Sequence, residues 1–212
     1  VCREEYLNQW CRIKDMSEKT AKPMSGRQVI ASSSSLLAAV WIVALASIPS
    51  AQSYRDQLAS GTAADQIVTA YDAMSVIIPI TMISSWVITS LWLKKLHIAA
   101  TAINPSAMRL KRPWVFWSWI VPVVSLWFPK NIIEDLLKAE SSDESKSLIG
   151  KDTLTWWLTW VGFALVNNIG IVSAFDAADG YVPIRPELEL AGACLLTGAY
   201  LVWIRIVKTL DA

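Results

Sequence analysis

Charge is scarce in this sequence. Only 17% of its 212 residues are Asp, Glu, Lys or Arg, against about 25% in soluble domains. That is too little to cover a water-facing surface, and it excludes an ordinary cytosolic enzyme. Histidine occurs once, at His97, and one imidazole cannot build a zinc or haem site alone. The three cysteines, Cys2, Cys11 and Cys194, form no even disulfide framework. Cys2 and Cys11 stand further apart than the close pairs of a structural zinc site, so zinc would require partners upstream of Val1. There is no paired His on a helix, no phosphate-binding Gly loop and no paired intramembrane Asp. The expectation is a protein without enzymatic chemistry and without a cofactor. A net charge of +1 gives no bias toward nucleic acid.

Apolar and aromatic residues are abundant instead: 54% of the chain is hydrophobic, and it holds 12 Trp. Four apolar runs, Gln28 to Ser50, Tyr71 to Leu93, Leu154 to Phe175 and Leu188 to Val207, have the roughly 20 residues that cross about 30 Å of hydrocarbon. A bilayer offers the backbone no hydrogen bonds, so such runs are helices. The reading is an all-α integral membrane protein. Residues 1–27 form a cytoplasmic N-terminal segment, and 28–212 a membrane domain with cytoplasmic loops 94–113 and 130–153.

A fifth apolar run, Trp114 to Phe128, is fenced by Pro113 and Pro129 and broken by Pro122. It is either a short kinked span or a segment that enters and leaves on one side. Positive charge discriminates, because Lys and Arg accumulate on the cytoplasmic side. If the run does not cross, only Arg55 and Arg185 of 19 Lys and Arg lie outside. If it crosses, Lys130, Lys138, Lys146, Lys151, Arg205 and Lys208 move outside while Arg185 moves in. The first arrangement is favoured: four transmembrane helices, a short re-entrant or interfacial Trp/Pro segment, and both termini cytoplasmic. Five spans is the alternative. Trp92, Trp114, Trp156, Trp157 and Trp203 then fall at the inner ends of spans, where indole rings favour the headgroup layer. The stretch Ile132, Ile133, Leu136, Leu137 shares one helical face. The polar, Ser-rich 141–151 stretch reads as a mobile loop.

Trp92-Leu93, the basic loop after it, then Trp114, Trp119, Pro122, Val124, Leu126, Trp127, Pro129, Ile133 and Asp135 resemble a bacterial membrane domain of unknown function, number four-three-two-eight. Its recognisable core is a Trp-x2-Pro-x4-Trp-x-Pro pattern, here Trp119, Pro122, Trp127 and Pro129, followed by an acidic amphipathic helix. Trp156, Trp157 and Trp160 resemble the family's Trp-rich start of the next span. The similarity runs from Val29 to Val207. It implies a helical protein of the bacterial inner membrane and no particular activity.

Among other polar groups, Asn167 and Asn168 sit in the third run, where amides need interhelical partners or a ligand. Thr81, Ser85 and Thr89 form a hydroxyl stripe after Pro79 that suits close packing or a polar conduit. No ionisable residue lies mid-span, which argues against proton relays and ion-coupled carriers. The expected role is an accessory, stabilising or assembly subunit of a larger membrane complex, such as a respiratory or other bioenergetic one. Its partners would be other integral membrane subunits and lipids. The alternatives are a small-molecule- or lipid-responsive channel or carrier, and a sensor with a metal-binding N-terminal segment. Trp119, Pro122, Trp127, Pro129, Asn167 and Asn168 are the candidate interaction residues.

Overall fold

The structure is a computed structural model that describes residues 24–63, 66–104, 106–121, 123–140, 142–175 and 184–211. Cys2, Cys11 and Pro122, singled out above, lie outside these residues.

The described residues are helical, with no strand. The helices are α1 (Gly26–Ala59), α2 (Ala70–Ser75), α3 (Ile77–Ile103), α4 (Trp114–Trp117), α5 (Phe128–Glu140), α6 (Asp143–Leu148), α7 (Lys151–Phe175) and α8 (Pro186–Asp211), with a 3-10 turn at Val124–Leu126 between α4 and α5. Each of the four apolar runs sits inside a longer helical stretch. Ser25 starts α1, its N–H donating to Gln28 Oε1 at 3.0 Å, half of a capping box. Pro79 explains the break between α2 and α3: it has no N–H to offer Ser75, and its ring crowds that carbonyl. The second run therefore bends at Val76.

Three stretches, Gly26–Ala59, Ala70–Ala102 and Pro186–Asp211, are long and apolar enough to cross a membrane. The third run from the sequence lies in α7, whose 25 residues reach about 37 Å at 1.5 Å per residue. Among the described residues it is not one of the three.

The long helices pack in the order α3, α1, α8, α7. Small residues allow the close approach: the Gly162 Cα faces the Leu195 side chain, and Gly198 faces Thr159. The long helices alternate in direction. At one end, Trp92 of α3 donates to Asp211 of α8, Gly26 of α1 abuts Asp211, and Arg205 of α8 pairs with Asp152 of α7 at 3.0 Å. Most of the described Lys and Arg gather at this basic end. At the opposite end, Tyr71 bonds Glu189 Oε1 at 2.5 Å and its N–H reaches Ser50 Oγ at 3.2 Å. Since α3 ends and α7 begins at the basic end, the chain between them leaves and returns there.

That connection is more ordered than the sequence suggests. Residues 94–103 prolong α3. The Ser-rich stretch, expected as a mobile loop, contains α6: Ser142 caps it, accepting from Ser145 N–H at 3.1 Å, and Asp143 and Glu144 suit the positive end of its dipole. Leu148 then buries fully against the core. This burial, invisible to local composition, is what orders the stretch. The main core lies at the basic end and includes Trp92, Ile132, Ile133, Leu137, Trp156 and Trp203. A second cluster joins Leu36, Val40 and Ala44 of α1 to Phe163 of α7 and Leu196 of α8.

Candidate functional site

The Trp/Pro segment folds as a compact reversal rather than as a helix. α4 holds only four residues. Beyond it, Val123 adopts φ 68°, a left-handed conformation that is costly for a β-branched residue. Local bonds hold the reversal: Ser125 N–H to Val121 O at 2.9 Å and Leu126 N–H to Val123 O at 3.0 Å. Trp157 of α7 adds an indole N–H to Leu126 O at 2.7 Å. Pro129 sits buried in the first turn of α5, where a missing N–H costs nothing.

A charge cluster fixes the segment to the bundle. Arg109, after α3, donates from Nε to Asp135 Oδ1 at 2.7 Å and from its backbone N–H to Asp135 Oδ2 at 3.0 Å. Its guanidinium also reaches Asn131 O at 3.2 Å. On the same helix, Glu134 takes Lys130 Nζ at 2.6 Å and the Thr153 hydroxyl at 3.2 Å. Burial alone would raise the Glu134 pKa, but the Lys130 bond and charge, with help from Thr153 and Lys138, hold it below the ordinary value. His97 is buried and Nε2 meets Leu110 O at 2.9 Å, a structural role for the only imidazole.

Between α3 and α7, with α1 and α8 behind, lies a half-open groove of about 930 Å³. Small-molecule sites span about 300–1,000 Å³. The α3 wall carries Ile78, Met82, Ser85, Trp86 and Thr89, and the α7 wall Trp156, Trp160, Phe163, Asn167 and Asn168. Trp119, Ile120, Ser125 and Leu126 of the reversal close the basic end. Ser33, Tyr200 and Trp203 line the back, where Trp203 donates to Ser33 Oγ at 3.2 Å and Ser34 bonds the Tyr200 hydroxyl. Among the described residues, no charged side chain lines the groove.

Of the residues chosen from sequence, Trp119, Asn167 and Asn168 meet in this groove. Trp119 is half-buried, edge-on to Trp156 and Trp160 with centroids 6.4 Å away. The two Asn bond their own helix instead of a neighbour: Asn167 to Phe163 O at 3.0 Å and Asn168 to Ala164 O at 2.7 Å. Trp127 is 44% exposed and lies outside the groove, as does buried Pro129. Ser85 and Thr89 of the hydroxyl stripe line the wall, whereas Thr81 turns back to Ile77 O.

Sequence reasoning missed Trp86, Phe163 and the Arg109–Asp135 pair. Trp86 sits inside an apolar run and has no periodic signature. Asp135 did carry a signal, since an acid beside the apolar face of an amphipathic helix requires a partner. Among the described residues, no three His, Cys, Asp or Glu side chains gather as a metal centre requires.

No curated protein and no solved structure matches this chain. A family model does match, that of the Domain of unknown function (DUF4328), over residues 53–212. The match covers the Trp/Pro reversal, α5, and all of the groove except its α1 wall. The chain therefore belongs to the DUF4328 family.

Proposed function

We propose that this domain is a non-catalytic module of the bacterial inner membrane that takes an amphipathic, lipid-like molecule from the bilayer into the α3–α7 groove. The observation that carries the reading is the groove itself: apolar and aromatic walls, a few convergent polar groups, and small-molecule dimensions. Its rim residues Ile83, Leu126 and Leu165 are about half exposed, so its mouth is apolar and suited to entry from hydrocarbon. The topology proposed is four spans with both termini cytoplasmic. The side-by-side, alternating packing of α7 with three span-length helices supports it, as do the basic residues gathered at one end.

The test is lipid extraction from the purified protein. A lipid-like molecule should co-purify near stoichiometrically. Ala164→Phe, which places a ring in the groove, should lose most of it while keeping the fold. Full retention by that variant would place the ligand elsewhere.

The accessory-subunit reading rests on a different observation. Ile80 and Ile83 of α3, with Leu158 and Leu165 of α7, present an apolar face on both sides of the groove, which a helix of a partner subunit would cover. Gentle solubilisation followed by mass spectrometry tests it, and a lone chain carrying only lipid would leave the lipid-binding reading standing alone.

A further inference from the structure

The cations at the basic end fall into two sets. Arg109, Lys130, Lys146 and Arg205 each meet a carboxylate. Lys94, Lys111 and Arg112 are exposed, and among the described residues none of the three has an acid partner. The fold brings them together from two parts of the chain. His97, one turn beyond Lys94 on α3, has its Nε2 2.9 Å from the carbonyl oxygen of Leu110, the residue before Lys111. Lys111 and Arg112 form the turn that opens α4, their carbonyls accepting from Trp114 N–H at 3.0 Å and Val115 N–H at 3.2 Å. Three like charges held in one place repel one another, and an anion relieves that repulsion. Trp117, 52% exposed, ends the same short helix, and indole rings favour the headgroup layer.

The cluster stands in register with the groove. Lys94 is eleven positions after the rim residue Ile83 on α3. Eleven residues make about three turns, so the two share a helical stripe, and the rise between them is about 16 Å. One leaflet of hydrocarbon is about 15 Å deep, half of the bilayer core. A headgroup at Lys94 therefore leaves a tail of leaflet length within reach of Ile83. On the reversal, Phe116, four residues past Arg112, has its ring 4.4 Å from that of the groove residue Trp86. We propose that the occupant of the groove is an anionic glycerophospholipid from the leaflet at the basic end. Its phosphodiester rests on Lys94, Lys111 and Arg112, and a tail enters the groove over Ile83. The guanidinium offers phosphate oxygens a bidentate fork, and the two ammonium groups add point charge. This inference rests on the lipid-binding reading and names the headgroup class that the site takes.

Native mass spectrometry of the full chain in detergent tests it with two probes, phosphatidylglycerol and phosphatidylcholine with identical tails. Both carry a phosphodiester, but choline neutralises its own. The parent should retain phosphatidylglycerol over phosphatidylcholine by about tenfold, the scale of one or two cations acting on one net negative charge. The triple variant Lys94→Gln, Lys111→Gln, Arg112→Gln should retain the two equally. A control triple, Arg27→Gln, Lys151→Gln, Lys208→Gln, removes as much charge from exposed positions on α1, α7 and α8 and should keep the preference. Ala164→Phe should lose both lipids. Equal retention of the two lipids by the parent overturns the headgroup assignment and leaves the groove reading intact. A preference that survives in the first triple variant overturns the assignment to these three residues. A preference lost equally in the control overturns it as a site and leaves only the general field of the basic end. Phosphatidylglycerol held undiminished by Ala164→Phe separates the headgroup from the groove and overturns the path of the tail. Retention of neither lipid by the parent overturns the groove reading as well. The comparison on the parent needs no variant, so a misfolded triple mutant would not blunt the test.

Discussion

Asp135 is the residue on which the connection between α3 and α7 turns. Its carboxylate is nearly fully buried, yet it meets Arg109 with two hydrogen bonds, one from the side chain and one from the backbone. Asp135→Asn would set an amide N–H against a donor. Hydrogen bonds to charged groups are worth about 1.5–3 kcal/mol, and the half-exposed Arg109 puts this pair at the lower end, since solvent screens it. The expected loss is about 1.5 kcal/mol, read as a lowered Tm in detergent. Asp143→Ala, which breaks the exposed pair with Lys146 and removes one acid from the first turn of α6, should lower Tm less, at a cost under about 1 kcal/mol.

Glu134 gives the same region a pH dependence. Its folded pKa is lowered below 4.5, so folding favours the charged form. The stability it contributes is fully present above the unfolded carboxylate value and is lost as pH falls through the lowered folded value. Stability followed by circular dichroism should therefore start to fall as pH drops into the ordinary carboxylate range and go on falling through the lowered folded value. Glu134→Gln should be less stable than the parent at neutral pH and should approach it at the acid end. A constant gap at all pH values would mean that Glu134 contributes nothing through its charge.

At the scale of elements, the reversal between α4 and α5 has little internal structure and depends on its neighbours. Trp157 reaches across from α7 to Leu126 O, and Trp119 packs between Trp156 and Trp160. Trp157→Phe keeps the ring in the core and removes one donor, costing about 1 kcal/mol. The expected signature is local: faster amide hydrogen exchange over 123–127, with exchange in α1 and α8 unaltered. Uniform acceleration throughout the bundle would instead make Trp157 a general core residue. α6 illustrates the same dependence, because six residues cannot hold a helix alone; its cap and the burial of Leu148 do so.

At the scale of the molecule, the proposed four-span topology is tested by labelling. Single cysteines at Ser60 and Ser142 should label from opposite sides of the membrane, Ser60 from outside and Ser142 from the cytoplasm only. Labelling of Ser142 from outside would require the Trp/Pro segment to cross, and five spans would replace four. Label-free controls need Cys2, Cys11 and Cys194 all replaced; Cys194 is free and exposed at the bundle surface.

What the sequence determined by itself follows from long-range composition and period. Scarce charge and four apolar runs are enough to specify helices in a bilayer, because hydrocarbon tolerates no unpaired backbone and a run of about 20 residues pairs its own as a helix. The Trp119 to Pro129 pattern was enough to point to the family. Some local chemistry was legible too: Pro79 marks the break at Val76, and the apolar face of 132–137 marks α5. The groove was not legible. Trp86 and Phe163 are ordinary members of apolar runs until α3 and α7 stand on either side of the gap between them. The same holds for Asn167 and Asn168, which sequence pairs with other helices and the fold returns to their own. Hydrophobic pattern says that a face is apolar, but not which neighbour covers it or where coverage fails. That is decided by the order α3, α1, α8, α7, which packs α1 and α8 against each other and leaves the outer two helices to frame a cleft.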